Sequence, residues 1–469
     1  MTTTTHPAAS ALDLDVTPEL LRRYDRPVPR YTSYPTADRF TPAFTAASYR
    51  AALARADQRS DEPLGLYLHL PFCRAQCAYC GCAMVASSDP ERLSEYLERL
   101  LLEVDRVVEH LPRRRRVAEI QLGGGTPNMY SPQELGRLLA HLRKHFTLTP
   151  GAEVAIEVDP REASAHIVGE LRAAGFTRIS FGVQDTDEDV QHAIGRVQHL
   201  DKTREVVEAA RAHRFDSVNL DLIYGLPKQT RASFQRTLEL ALALAPDRVA
   251  LFSFAYIPEQ RKNQIRIVQG DMPSADDKLA IFCDARRAFV RAGYVPIGMD
   301  HFARPGDELA RALQNGALNR TFQGYTVSHA TDILGFGMSA IGEVGGAYAQ
   351  NEKNVRAYSQ RIDEGALPIV RGVELSHDDE LRRFVIRALM CRFVIDDAAL
   401  MQRFGVTLAG ALPDALERLE PLVHEGLATV APGRVAVTPL GRLFVRNVAA
   451  AFDGYLHQGQ AKVPYSRAV

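Results

Sequence analysis

Short runs rich in apolar, β-branched and aromatic residues recur along the chain: "LGLYLHL" from Leu64, "EIQLGGG" from Glu119, "EVAIEVDP" from Glu153, "RISFGVQ" from Arg178, "SVNLDLIYGLP" from Ser217, "RVALFSF" from Arg248 and "YVPIGMDHF" from Tyr294. Their length and composition predict strands. Between them, apolar positions fall at helical spacing. Asp89 before Pro90, followed by Leu93, Leu97, Leu100, Leu101 and Val104, supplies an N-cap, a first-turn proline and an amphipathic face. Ser131, Pro132 and Glu134 repeat the start signal as a capping box. Strand and helix in regular alternation predict an α/β fold on a parallel sheet with right-handed crossovers, as a barrel or an open sheet. In either, chemistry collects at the carboxyl ends of the strands. The loop after Leu70, the glycines from Gly123, Glu157 with Asp159, and Gln184 all fall at such ends, and Asp221 lies within the fifth strand.

The texture changes near His377. "DDELRRFVIRALMCRF" and "LPDALERLEPLVHEG" read as amphipathic helices, and "LATVAPGRVAVTPLG" as a hairpin turning near Pro432 and Gly433. The expected organisation is an N-terminal arm over 1–48, a large α/β domain over 49–370, and a small, mainly helical domain with a β-wing over 371–469.

Charge narrows the function. Lys and Arg number 56 against 57 Asp and Glu, a net charge of -1, which argues against nucleic acid as a partner. Arg113 to Arg116 form the one conspicuous basic run, and between a helical and a strand pattern it reads as a solvated turn. The N-terminal residues lack a basic segment followed by a long apolar one, and no stretch approaches the roughly 18 apolar residues of a membrane span, so a cytoplasmic protein without membrane contact is expected.

Four of the six cysteines lie in "HLPFCRAQCAYCGCAM", from His69 to Met84. Cys283 and Cys391 stand alone in apolar helical contexts and read as core thiols. Cys73, Cys77 and Cys80 have the spacing CxxxCxxC, with Cys82 two residues on. Structural zinc usually needs a second ligand pair, and none of that kind follows; a disulfide framework does not suit a large, non-secreted chain. Three thiolates for a four-iron cubane leave one iron open to a further ligand. The glycines "GGGTP" from Gly123 are not a P-loop, because no GK[ST] follows, and they suit close backbone approach to a ligand.

This loop, with Tyr79 before its last ligand-spaced cysteine and "GGGTP" ending the next strand, resembles the signature of the radical S-adenosylmethionine (SAM) superfamily. Within it the chain is most similar to the oxygen-independent coproporphyrinogen III oxidase family, through "PRYTSYPTADRF" from Pro29, "IEVDPRE" from Ile156, "GVQDTDEDVQ" from Gly182, "NLDLIYGLPKQT" from Asn219, "IGMDHFARPGDELA" from Ile297, "FQGYT" from Phe322 and the closing "YSRAV". The resemblance implies an incomplete TIM-like (βα) radical SAM barrel. It further implies a 4Fe-4S cluster on Cys73, Cys77 and Cys80, and two SAM molecules. Tyr67, Gly124, Glu157 and Ile341 match contacts of the first; Tyr79, Gly125, Thr126, Gln184, Arg196, Asp221 and Ala255 match contacts of the second.

The implied reaction converts the propionates on rings A and B of coproporphyrinogen III to vinyl groups, giving protoporphyrinogen IX and carbon dioxide in haem biosynthesis. A low-potential electron donor protein, an unidentified electron acceptor and a monomeric state complete what the resemblance implies. Cys82, Phe322 and Gln323 are support residues, Arg30 and Tyr31 belong to an arm expected to fold over the pocket, and Arg161 and Arg304 are candidates for a cationic rim. The alternatives are a haem-binding chaperone and another tetrapyrrole-directed radical SAM enzyme. Cys82 and the "RYTSYPT" element count against both.

Overall fold

In a computed structural model that describes residues 16–458, 465 and 467, the chain divides into two compact units. The larger comprises residues 39–273 and 328–374; the smaller comprises residues up to 38, 274–327 and 375 onward.

The larger unit is built on strands β1 (Leu64–Leu70), β2 (Arg116–Gly124), β3 (Thr147–Val158), β4 (Arg178–Gln184), β5 (Ser217–Tyr224), β6 (Arg248–Ser253), β7 (Asp332–Phe336), β8 (Ile341–Val344), β9 (Ala347–Asn351) and β10 (Ile369–Glu374). Their spatial order is β10-β9-β8-β7-β1-β2-β3-β4-β5-β6. From β7 through β1 to β6 every pairing is parallel, while β8, β9 and β10 extend the sheet antiparallel. This is the anticipated α/β fold with a mostly parallel sheet. In β1 all residues but Tyr67 are buried, as a strand covered on both faces requires.

The crossover helices begin where the sequence signals them. Asp89 caps Pro90–Glu109 by accepting from the Glu91 amide, and Ser131 with Glu134 closes a capping box on Pro132–His145. Leu93, Leu97, Leu100 and Val104 are buried along one face of the first of these helices.

The basic run is corrected by the structure. Arg113 and Arg116 are exposed, but the Arg114 side chain is completely buried. Its guanidinium pairs with Asp332 and donates to Thr331 Oγ1 (2.7 Å) and to the carbonyls of Glu62 (2.9 Å), Ala56 (3.1 Å) and Pro63 (3.2 Å). Asp57 accepts the amides of both Arg113 and Arg114 at 2.9 Å. The run therefore fastens the amino ends of β1, β2 and β7 rather than making a solvated turn.

The smaller unit buries Leu381, Val385, Leu389, Leu400, Leu419 and Phe444 in one apolar cluster. The two C-terminal helices expected from sequence are His377–Arg392 and Pro413–His424, and the wing strands are Ala428–Ala431 and Arg434–Val437. A third wing strand, Val394–Asp396, and a helix, Asp397–Phe404, were not foreseen. "YVPIGMDHF" forms not one strand but a tight hairpin, Val295–Ile297 with His301–Ala303. Ile297, Ala303 and Leu309 enter the same apolar cluster, which is why 274–327 sits with the C-terminal residues and not within the barrel segment expected from sequence. Cys391 is a core thiol as expected, whereas Cys283 is only half-buried.

The described part of the expected arm up to residue 38 also belongs to this unit. Tyr31 donates to Asp453 (2.9 Å), Arg446 to the Pro29 carbonyl (3.0 Å), and Asn447 to the Tyr24 carbonyl (2.9 Å). Of the closing "YSRAV", Tyr465 donates to Asp38 (3.0 Å) and Arg467 to Asp25 (3.1 Å); its other residues, like residues 1–15, lie outside the described ones. Among the described residues no helix is long and apolar enough to cross a membrane.

Candidate iron-sulfur and SAM site

The cysteine loop leaves the carboxyl end of β1 and is tied down on several sides. Its Phe72–Cys73 segment pairs in parallel with Val85–Ala86. Asn263 reaches in from the short helix Lys262–Arg266, its Nδ2 within 2.9–3.1 Å of the carbonyls of Cys77, Ala78 and Cys80. Gln264 donates to the carbonyls of Tyr79 (3.4 Å) and Ala255 (3.0 Å), and the Ala78 amide donates to the Ile194 carbonyl (2.8 Å). Ala78 itself packs with Val190, Ile194, Ile223 and Leu226.

All four thiols are free. Cys73 Sγ accepts from Thr126 Oγ1 at 3.1 Å, and burial pushes its thiol up to about 11. Cys80 Sγ accepts the Cys82 amide at 3.4 Å; hydrogen bonds from Cys82 lower the Cys80 thiol to about 6 and raise that of Cys82. Cys82 is exposed, and its backbone amide donates to Cys80 Sγ.

The glycine run answers to the protein before any ligand. A Cβ on Gly125 would lie 2.4 Å from the backbone carbonyl atoms of Pro71, one on Gly123 would lie 2.7 Å from the Glu157 carboxylate, and one on Gly124 would lie 2.6 Å from the His69 ring. Gly124 also has φ +115°, which favours glycine. Packing of Gly123 against Glu157, Gly124 against His69 and Gly125 against Pro71 thus leaves no room for a side chain at any of the three. Gly125→Ala should destabilise the protein by about 1–3 kcal/mol, the usual cost of overpacking. It should also lower the iron retained per chain, measured by urea unfolding and elemental analysis; an unchanged midpoint and iron content would contradict this.

His69 was not singled out from sequence. Burial lowers its imidazole to about 4, so the ring is neutral. The Ala83 carbonyl, 2.7 Å from Nε2, can only accept, so Nε2 carries the proton and Nδ1 accepts from Tyr67 Oη at 3.0 Å. Tyr67 stands in the middle of β1, oriented by a histidine that also fixes the far end of the cysteine loop.

The charged residues form a second layer. Arg196, buried, donates to Asp159 (2.8 Å) and to the Gly182 carbonyl (2.8 Å), with Cys77 Sγ at 3.9 Å. Asp159 also holds Arg161 in a forked pair, so Arg161 is committed within the unit. Burial alone would raise Asp159, but Arg196 and Arg161 outweigh it and hold the carboxyl below its ordinary value. The buried Nε of Arg196 is left without a partner. Asp221 accepts from Asn219 (2.7 Å) and Ser180 (3.2 Å). Gln184 ends β4 at φ +67°, beyond a register shift after Gly182.

Glu157 accepts the Gly124 amide at 3.2 Å; burial, then repulsion from Asp221, raises its carboxyl to about 7. Below its ordinary value of 4.5 the group is protonated in native and unfolded chains alike. Between that value and about 7 the native state keeps a proton the unfolded state has lost, so its contribution makes stability fall as pH rises through this window. The urea midpoint of the cluster-free protein should fall less across this window in Glu157→Gln than in wild type. Parallel slopes would contradict the assignment.

Ile341 opens β8 and is half-buried. Phe322 and Gln323 belong to the smaller unit, where they form the turn between Asn319–Thr321 and Gly324–Thr326, with Thr321 donating to Gln323 Oε1 at 2.8 Å. Arg304 is exposed in the same unit.

Three soft thiol donors on a clamped loop at the carboxyl end of a parallel sheet fit a cluster, and the orphaned Arg196 Nε with two nearby carboxylates fits a polar, zwitterionic ligand beside it. This combination defines a radical SAM protein, and residues 67–241 match the profile of the Radical SAM superfamily, while residues 375–444 match the HemN C-terminal domain. The oxygen-independent coproporphyrinogen III oxidase of Salmonella typhimurium is 42% identical over 450 residues, covering 96% of this chain and 98% of that one. That of Pseudomonas aeruginosa is 42% identical over 93% of this chain and 95% of its own. The solved structure of coproporphyrinogen III oxidase (HemN) from Escherichia coli, described as a radical SAM enzyme, superposes with a TM-score of 0.88 at 40% identity, covering 91% of this chain and 97% of that one. The chain belongs to the oxygen-independent coproporphyrinogen III oxidase family.

Proposed function

We propose that this protein oxidatively decarboxylates the ring A and B propionates of coproporphyrinogen III to vinyl groups, giving protoporphyrinogen IX, in the cytoplasm. The observation that carries the reading is the clamped three-cysteine loop, found in a chain that aligns with oxidases of that name over 96% of its length. When bound, the reduced 4Fe-4S cluster and SAM supply a 5'-deoxyadenosyl radical able to remove hydrogen from a propionate side chain.

Cys73, Cys77 and Cys80 hold the cluster, leaving one iron for SAM. The hydrogen bonds from Thr126 to Cys73 and from Cys82 to Cys80 support thiolate character in two of the ligands. Tyr67, Gly124, Glu157 and Ile341 position the first SAM. Tyr79, Gly125, Thr126, Gln184, Arg196, Asp221 and Ala255 serve a second. The free Nε–H of Arg196 suits a carboxylate there, and the Asp221 carboxylate suits an ammonium or hydroxyl. Phe322 and Gln323 are support residues for the reaction. The protein acts as a monomer; a low-potential donor protein supplies the electron that cleaves SAM, and the electron the substrate loses along with carbon dioxide goes to a separate acceptor.

Anaerobically reconstituted protein incubated with coproporphyrinogen III, SAM and a reductant should yield protoporphyrinogen IX. Stable haem binding without that product would favour the chaperone instead. Neither that alternative nor another tetrapyrrole-directed activity finds support among the named relatives.

A further inference from the structure

Two helices of the larger unit bring three metal-ligating side chains to one point. His141 and His145, four residues apart on Pro132–His145, present both imidazoles on one helix face, their ring centroids 5.0 Å apart. Asp105 faces them from the helix Pro90–Glu109. His141 Nε2 lies 2.8 Å and His145 Nε2 2.7 Å from the same oxygen, Asp105 Oδ1, and the three ligand atoms are all within 4.8 Å of one another. The side chains are 17%, 27% and 41% exposed for His141, His145 and Asp105, so water reaches the point where they converge.

The place is distinct from the cysteine loop. Both helices end here and lead into β2 and β3, so the cluster of side chains lies at the amino ends of the strands, while the cysteines follow the carboxyl end of β1. β2 has nine residues, which at about 3.3 Å each puts roughly 30 Å between the two ends of the sheet. His145 is also the last residue of its helix, where the partial negative charge of the free carbonyls favours a cation.

We propose that Asp105, His141 and His145 form a second metal site that takes one zinc ion, with water completing its coordination, and that the ion ties the two helices together. Two imidazoles, one carboxylate and an open position are a donor set zinc accepts readily, and the absence of thiolate from the set separates it from the iron-binding loop. Bonds of about 2.0–2.1 Å to a tetrahedral ion separate neighbouring ligand atoms by about 3.3 Å. Each imidazole nitrogen must therefore move about 0.5 Å further from Asp105 Oδ1 than in the hydrogen-bonded arrangement, which the partial exposure of the side chains permits.

The test dialyses cluster-loaded protein anaerobically against micromolar zinc and counts metals per chain, for wild type, His141→Gln/His145→Gln and Asp105→Asn. Wild type should gain one zinc with its iron content and cluster absorption unchanged, and its thermal midpoint should rise. The double variant should gain none and show no rise, and Asp105→Asn should bind at least about tenfold more weakly. Equal zinc in wild type and the double variant, or zinc taken up only as iron is lost, overturns the proposal.

Discussion

Cys77→Ser should leave the protein folded, without its cluster and without product above the level seen in the absence of protein. A serine oxygen is a hard donor with a high pKa, and two remaining thiolates do not hold a four-iron cubane against loss. Folding should survive because the loop is held by Asn263, Gln264 and the Ala78 amide, none of which depends on the Cys77 thiol. Iron per chain, the cluster's visible absorption and protoporphyrinogen IX formation are the readouts. Cys82→Ser supplies the contrast. Because Cys82 meets Cys80 as a hydrogen-bond donor, its variant should retain close to the wild-type iron content. Iron loss in Cys82→Ser as complete as in Cys77→Ser would make Cys82 a ligand and overturn the assignment.

Arg114→Ala should be the most destabilising single change away from the site, by about 3–5 kcal/mol, the range for breaking a buried ion pair from one side. Its guanidinium has no exposure, and truncation removes the donor to the Glu62 carbonyl and one of the two donors to each of the Ala56 and Pro63 carbonyls, which keep the Arg59 and Thr331 amides. Asp332 would keep Arg59 (2.6 Å) and the Gly345 amide (2.7 Å), so the carboxylate is not wholly abandoned. Combining Arg114→Met with Asp332→Asn should cost less than the sum of the two single changes, since each removes the other's partner. A loss below about 1 kcal/mol for Arg114→Ala, the range of exposed ion pairs, would show that the pair is unimportant to folding.

Arg114 also marks where sequence reasoning stopped. Among its neighbours Arg113, Arg115 and Arg116 it looks like one more solvated charge, and its ionic partner Asp332 stands 218 residues away. Asn263 is similarly silent: an amide in a polar stretch that holds a loop more than 180 residues earlier. The same holds for Asp105 with His141 and His145, whose separations of 36 and 40 residues carry no local signal beyond the four-residue histidine spacing. What was legible was local. Strand composition located β1 to β6, start signals placed the helices at Asp89 and Ser131, and cysteine spacing marked the loop. The hairpin at Val295–Ile297 reads like one strand because its turn lies inside an apolar run, and its membership of the smaller unit rests on contacts with residues nearly a hundred positions later.

Activity depends on a four-iron cluster on three cysteines with one iron left for SAM. The most direct measurement is electron paramagnetic resonance of the anaerobic, iron- and sulfide-loaded, dithionite-reduced protein before and after SAM is added. The expected result is the signal of a reduced 4Fe-4S cluster whose g-values shift on SAM addition. A protein that shows no four-iron signal, or a signal that SAM leaves unchanged, would contradict it.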